Sequence, residues 1–300
     1  MQVARHSIFD RCVRVCDVIQ RIYMRGLGYI SPTKDCHTVF GSVIRCRTRQ
    51  FVQRRIRFFG IFEHNLTYYT LNHLREGDLY LDIGANVGYF SLLASRCVGP
   101  AGKVISVEAD PETFRELITN LELNRCRNVV ARNIAAAETA CKVTIERVRN
   151  NSGANSTSLE KEGSVDGVPF REIVGDDLGR LRFIKIDIEG SEEPILRAIL
   201  SAASDLPDSV IIASEVSPSS AEHVARFADA GFRAFAIQNI YTIDYYLIRS
   251  YLARYGEDKA VHMIPLNSYN PSYRDYIFER SGVIPACGTG GTECLMVVSS

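Results

Sequence analysis

The 300-residue chain has no long hydrophobic run. Its longest apolar stretches, such as Val210 to Ala213, are strand-sized, far short of the roughly 18 uninterrupted residues that a membrane-spanning helix needs. It also has no apolar core of an export signal near Met1, because Arg5, Arg11, Arg14, Arg21 and Arg25 are spread over residues 1–30, and we expect a soluble, cytoplasmic protein. The nine cysteines are odd in number, scattered and without a C-x-x-C pair, which excludes a disulfide framework and a zinc knuckle. Internal repeats are absent too. Nor is there an excess of charge of one sign, since 35 Lys and Arg balance 35 Asp and Glu, which argues against nucleic acid as a bulk partner. The balance hides an asymmetry: residues 1–60 carry 12 basic and 3 acidic side chains, leaving 23 and 32 for the rest. With 46% hydrophobic and 23% charged residues, the chain has ample material for a packed core, so a wholly disordered reading is excluded as well.

What is present falls into two parts, an N-terminal extension over residues 1–75 and a main domain over 76–300. Ile8, Cys12, Val15, Ile19 and Ile22 form one stripe of a helix whose arginines lie off the stripe, suited either to weak contact with an anionic membrane surface or to docking on its own domain. His37 to Gln53 and Ile56 to Phe62 read as an antiparallel β pair, and Asn65 to Leu74 as helical. From Leu79 the pattern is α/β, with strands expected at 79–83, 103–108, 129–134, 182–187, 209–215, 233–238 and 294–299, and helices at about 87–97, 111–124, 191–204 and 219–230. Such alternation implies a mostly parallel sheet with helices on both faces. Residues 141–148 and 167–174 suggest an extra hairpin with a small polar tip at 150–158, and a Tyr-rich insertion fills 239–293.

Three segments carry chemistry. Leu79 to Gly88 is an apolar strand ending in Asp82, then Gly84-Ala85-Asn86-Val87-Gly88 at the start of a helix. Glycines there allow close approach of a ligand, and a helix N-terminus offers free N–H groups. A dinucleotide fingerprint would need glycine where Asn86 stands, which disfavours NAD. Glu108 ends the next strand, 24 residues beyond Gly84, where a carboxylate can accept hydrogen bonds from ribose hydroxyls. Finally, Phe183 to Glu192 brings a strand out at Asp187, with Glu189 two residues on. No third metal ligand lies nearby, so a metal is not expected.

The combination of Asp82-Ile83-Gly84-Ala85-Asn86-Val87-Gly88, Glu108, Asn120 and Asn124 with Lys185-Ile186-Asp187-Ile188-Glu189-Gly190, following Gly60 to Glu63, resembles the FkbM family of S-adenosylmethionine-dependent methyltransferases over about 170 residues. The resemblance implies a class I methyltransferase (Rossmann-like) fold with a seven-stranded sheet, S-adenosyl-L-methionine as cofactor, and O-methylation of a sugar, glycan or secondary metabolite. It points to Asp82, Gly84, Asn86, Gly88 and Glu108 as cofactor residues. The third strand ends without an acid, which leaves a backbone carbonyl or Asn133 for the adenine contact.

Methyl transfer from a sulfonium is an in-line displacement that rests on positioning and, for a hydroxyl, on a base. Asp187 is the first candidate base, followed by Glu189, Glu215 and His64. Asn151 and Asn155 in the polar tip, with Tyr245 and Tyr246 in the insertion, are the candidate acceptor contacts; the tyrosines serve equally well in packing or a homo-oligomer interface. Arg45, Arg47 and Arg49 either attract an anionic acceptor or form a solvated strand face. Two other readings stay open, a non-catalytic binding protein on a cofactor fold and, less favoured, an NAD-dependent oxidoreductase.

Overall fold

The computed structural model describes residues 33–146, 156–159, 164–188, 190–241, 245–246, 261 and 263–280. The expected helix around residues 8–22, Asn151, Asn155, Glu189 and the strand expected at 294–299 lie outside the described residues.

The chain opens with a hairpin, β1 (Thr33–His37) against β2 (Val43–Arg47), and continues into helices α1 (Phe51–Phe59) and α2 (His64–His73). The strand expected over Ile56 to Phe62 is therefore corrected to the end of a helix. Ile56, packed into the core, fixes the inner side of α1, and Gly60 at φ 70° ends the helix by a left-handed turn that favours glycine.

The α/β core follows. β3 (Leu79–Ile83), α3 (Tyr89–Val98), β4 (Lys103–Val107), α4 (Pro111–Leu123) and β5 (Val129–Arg132) build one half of the sheet. Short strands β6 (Ala135–Ala137), β7 (Cys141–Glu146), β8 (Ser156–Leu159) and β9 (Val165–Pro169) form a separate four-stranded sheet of order β6-β9-β7-β8. The expected two-stranded hairpin is thus larger: β8 lies within the expected polar tip, and residues 170–174 are helix α5 (Phe170–Val174) rather than strand. The main sheet resumes with β10 (Leu181–Ile186), α6 (Glu192–Ser201), β11 (Ile211–Glu215), α7 (Glu222–Asp229), β12 (Phe232–Ile237), β13 (Met263–Leu266) and β14 (Asp275–Arg280).

The main sheet has eight strands in the order β13-β12-β14-β11-β10-β3-β4-β5. Neighbours from β11 to β5 are parallel, and β14 is inserted antiparallel between β11 and β12. Without the edge strand β13, this is the class I methyltransferase arrangement. The last strand of that arrangement is β14, so the insertion expected over 239–293 itself supplies two strands of the sheet. Alternation sends Tyr80 and Phe183 into one core with α2, α3 and α4, and Leu79, Leu81, Ile83, Ile184 and Ile186 into the other with α5, α6 and α7.

The chain builds outward from β3 to β5, then returns to lay β10 on the other side of β3. At such a reversal the loops after the two central strands part, leaving a crevice at their carboxyl ends.

Two asparagines fasten the hairpin to this core. Asn120 of α4 accepts from the Arg45 N–H at 2.8 Å and donates to the Val87 carbonyl at 2.8 Å. Asn124 accepts from the Val43 N–H at 2.8 Å and donates to the Val43 carbonyl. Their amides complete the outer edge of β2 as another strand would. The start of α4 follows its sequence signal, with Pro111 in the first turn and Asp110 accepting from the Glu112 N–H at 2.9 Å.

Candidate active site

β3 ends in a turn in which Gly84, Asn86 and Gly88 have φ of 79°, 48° and 89°. A Cβ on Gly84 would lie 1.8 Å from the Asp187 carbonyl oxygen, and one on Gly88 would lie 2.5 Å from Leu117 Cδ1. Gly84 is therefore demanded by the crossing of the β3 and β10 ends, whereas Gly88 meets only the far end of the Leu117 side chain and is favoured by its φ of 89°. The amides of the turn itself are also committed. The N–H groups of Gly84 and Ala85 both donate to the Val107 carbonyl at 2.9 Å, that of Asn86 to Glu108 Oε2 at 2.8 Å, that of Val87 to Asn86 Oδ1 at 2.8 Å, and that of Gly88 to the Ala85 carbonyl at 2.9 Å.

Glu108 is pinned by these bonds. Its Oε1 accepts from the Asp110 N–H at 2.9 Å, so each oxygen holds one backbone donor and keeps a lone pair for another. Burial pushes its carboxyl up to about 7, against the pull of the Asp110 and Asn86 amides. Asn133 is turned to the backbone, donating to the Glu108 and Ala109 carbonyls at 2.8 and 2.9 Å. It braces the segment that holds Glu108.

Asp82 is fully buried. Its Oδ2 accepts from the Ser91 hydroxyl at 2.6 Å, and Ser106 donates to Ser91 at 2.8 Å. Its other oxygen lies 4.0 Å from Lys185 Nζ. Lys185, in the middle of the apolar strand β10, is the site residue that sequence reasoning missed. Its ammonium donates to Asp187 Oδ2 at 3.0 Å and sits 5.0 Å from the centre of the Phe90 ring. Burial works against that charge, but the carboxylates of Asp187, Asp82 and Glu63 outweigh it and raise its affinity for the proton. The signal available in the sequence was a lone cation in a strand that is otherwise Leu, Phe and Ile.

A cleft of about 250 Å³ opens at the β3/β10 reversal. One wall is Gly84 to Val87, another is Phe51, Val52, Phe62, Glu63 and Tyr241, and Lys185, Asp187, Glu215 and Arg274 complete it. Beyond it lies a smaller cavity of about 20 Å³, roomy enough for about one water. The two share Glu63, Lys185, Asp187 and Glu215, and Asp275 lines the smaller one. The Asp187 side chain is about one-third exposed, at 32%, and its N–H donates to the Ile83 carbonyl at 3.0 Å. Glu215 accepts from Arg274 at 2.8 Å, and burial followed by the charge of Asp187 raises its carboxyl. Asp275, beside Asn239, is pushed up to about 7 by burial and then by Glu215.

The other expected contacts fall elsewhere. His64 is buried at 2% exposure and meets the Tyr246 and Tyr245 rings edge-on, at 4.5 and 5.6 Å between centres. It lines neither cavity. Tyr246 is sealed at 0% exposure against Phe59 and accepts from the Glu63 N–H at 3.2 Å. Tyr245 and Tyr246 pack in one apolar cluster with Ile61, Tyr68 and Phe59 and line neither cavity. Among the described residues of the insertion, the tyrosine that reaches the cleft is Tyr241, and Tyr89 of α3 lines it as well. Among the described residues no group of three His, Cys, Asp or Glu side chains is arranged to hold a metal ion, and no helix is long and apolar enough to cross a membrane.

Residues 82–234 match the family model for the methyltransferase FkbM domain, so the chain belongs to that family. It is 45% identical over 56 residues to a protein-L-isoaspartate O-methyltransferase of Methanothrix thermoacetophila, covering 19% of this chain and 27% of that protein. It is 22% identical over 161 residues to Methyltransferase 1 of Beauveria bassiana, covering 46% of this chain and 64% of that one. The chain thus spans less than two-thirds of the length of either curated relative. Among solved structures, precorrin-6y C5,15-methyltransferase from Geobacter metallireducens is similar at 18% identity and a TM-score of 0.41, over 73% of this chain and 87% of that one.

Proposed function

We propose that this protein transfers a methyl group from S-adenosylmethionine to a hydroxyl of a small-molecule or glycan acceptor. The observation that carries the reading is the cleft at the β3/β10 reversal, where the glycine turn of an FkbM domain meets Asp187. The residues fit the cofactor. Glu108 keeps two lone pairs beside the turn for ribose hydroxyls, and the Glu215 carboxylate in the cleft suits a sulfonium cation. When bound, S-adenosylmethionine supplies an electrophilic methyl carbon.

The chain's own residues do the rest. Gly84 to Val87 and Glu108 hold the nucleoside side, and the wall of Phe51, Val52, Phe62 and Tyr241 keeps water from the reacting oxygen. Lys185 orients the Asp187 carboxylate. Asp187 would take the acceptor's proton as the oxygen bonds to the methyl carbon and the carbon–sulfur bond breaks, the sulfur leaving as a neutral thioether, a role worth about 10²–10⁴-fold.

Two experiments test this. Calorimetry should find S-adenosylmethionine binding and no NAD binding; the reverse overturns the assignment. Labelled methyl transfer, screened over sugars, glycans, small metabolites and RNA, should put the label on an oxygen of a non-nucleic-acid acceptor. In that assay Asp187→Asn should lower turnover by about 10²-fold or more while leaving cofactor affinity intact. An Asn variant with wild-type turnover would move the base to Glu215.

A further inference from the structure

Glu63 is an acid in an improbable place. It has left-handed backbone geometry, φ 44° and ψ 70°, which costs a non-glycine residue free energy and persists where the surroundings impose it. Three non-glycine residues among those described have positive φ, and two of them, Glu63 and Asn86, line the same cleft from opposite walls. The side chain is buried to 7% exposure, yet it lines both the cleft and the small cavity beyond it. Its placement is fixed at both ends: the Tyr241 hydroxyl donates to Oε1 at 2.8 Å, and its own N–H donates to the Tyr246 hydroxyl at 3.2 Å. One carboxyl oxygen is thus anchored, and the other remains for a ligand.

We propose that Glu63 is the acceptor-binding carboxyl of the site, holding the acceptor's reacting hydroxyl in the cleft that it shares with Asp187. The proposal rests on the methyl-transfer reading above and assigns it a residue on the acceptor side. Phe51, Val52, Phe62 and Tyr241 give the wall around Glu63 an apolar surface, and Glu63 is its one ionisable carboxyl. Burial, then the nearby Asp187 and Asp275, raise its carboxyl well above the usual range against Lys185 and the Tyr241 hydroxyl, so it holds a proton more readily than an exposed carboxyl and, when protonated, can donate a hydrogen bond as well as accept one. Such a wall suits a neutral hydroxyl better than a carboxylate or phosphate, because an anion there would meet Asp187 and Glu215 with Lys185 and Arg274 already engaged.

The test uses a hydrophobic carbodiimide, which adds across a protonated carboxyl to give a stable acylurea, on the full chain saturated with S-adenosylmethionine. Peptide mapping by mass spectrometry should find the adduct on Glu63 with the cofactor bound, formed progressively more slowly as pH rises, and gone in Glu63→Gln. Glu63→Gln, which keeps the shape and the Tyr241 partner, should bind S-adenosylmethionine within about threefold of wild type. Protection of Glu63 by the cofactor, or a tenfold loss of cofactor affinity in the Gln variant, would make it a cofactor contact and overturn the proposal. No adduct on wild-type Glu63 with or without cofactor would make it a structural partner of Tyr241 and overturn it equally. Failure of the wild type to bind S-adenosylmethionine, seen first by calorimetry, would instead remove the methyl-transfer reading on which the proposal stands.

Discussion

The two walls of the cleft are built by opposite means. The wall proposed for the cofactor, Gly84 to Val87 with Glu108 behind it, comes from one β-α-β stretch in which all five amides of residues 84–88 find partners within 24 residues of Gly84. The facing wall joins residues 51–63 to Tyr241, with the Tyr241 hydroxyl bonded to Glu63 across 178 positions. A locally satisfied turn is specified by a short motif and tolerates little change. A wall assembled from distant segments leaves room for variation, which is where the choice of acceptor can reside.

The sharpest way to break that comparison is Gly84→Ala. Alanine would put its methyl group 1.8 Å from the Asp187 carbonyl oxygen, at a φ of 79° that favours glycine. The β3 and β10 ends cannot both keep their places, and a loss of about 4 kcal/mol or more is expected in chemical denaturation. A variant of near wild-type stability would mean that the crossing is looser than the packing implies.

Next in size is Asn120→Ala. It strips partners from the Arg45 N–H and the Val87 carbonyl, and a buried polar group left unmatched costs about 1–3 kcal/mol. Amide exchange should quicken in β2 and in the glycine turn together, because one side chain ties them. Exchange that quickened in β2 alone would separate the hairpin from the cofactor wall.

These two residues mark what was legible in the sequence and what was not. The parallel core could be read because β3, β10 and β11 are apolar runs between helix starts with clear signals, such as Asp110-Pro111. The glycine turn was legible as a motif, but its reason was not. Gly84 answers to Asp187, 103 positions away, and no local pattern carries that information. The helix α1 was misread because Phe51 to Phe59 is rich in arginine and aromatics, whose solvated and cleft-lining faces obscure the helical stripe; Gln53 and Arg55 are buried there. The last strand was sought in the apolar residues near the C-terminus, whereas β14, Asp275-Tyr276-Ile277-Phe278-Glu279-Arg280, carries charged ends that form partnerships of their own, Glu279 with Tyr69 and Arg233. Glu63 could be quoted as part of a motif, but its role depends on Tyr241 and Asp187 meeting it in space.

A different effect should separate the walls by pH. The Glu108 carboxyl is raised from 4.5 to about 7 in the folded chain, first by burial. Between those values the native state holds a proton that the unfolded chain has released, so this group makes stability fall as pH rises, with the loss complete a little above pH 7. Glu108→Gln should flatten that slope relative to wild type in denaturation midpoints taken from pH 4.5 to 8. Asp275, also raised to about 7, contributes the same sign of slope in both proteins, so the difference between them isolates Glu108. Cofactor affinity should run the other way, rising with pH as Glu108 becomes the charged acceptor for ribose. A Gln variant with an unchanged pH slope would place the titration on the Asp275 side of the cleft.

The smallest expected effect belongs to Arg45→Ala, and it tests what holds the hairpin in place. Arg45 donates to both oxygens of Asp35, at 2.8 and 3.0 Å, with the two side chains 46% and 43% exposed. Arg47 pairs likewise with Glu112 and Glu116. Neither arginine lines the cleft, so the use of this face to attract an anionic acceptor finds no support in their placement. A solvated ion pair gains little, because water screens the charges and ordering two long side chains costs entropy. The backbone N–H of Arg45, by contrast, is held by Asn120 and is untouched by the substitution. Arg45→Ala should therefore leave the denaturation midpoint within experimental error of wild type at moderate salt, and Asn120→Ala should not. If removing the arginine cost as much as removing the asparagine, the Asp35–Arg45 pair that joins β1 to β2 would matter to the hairpin as much as the buried amide that docks it.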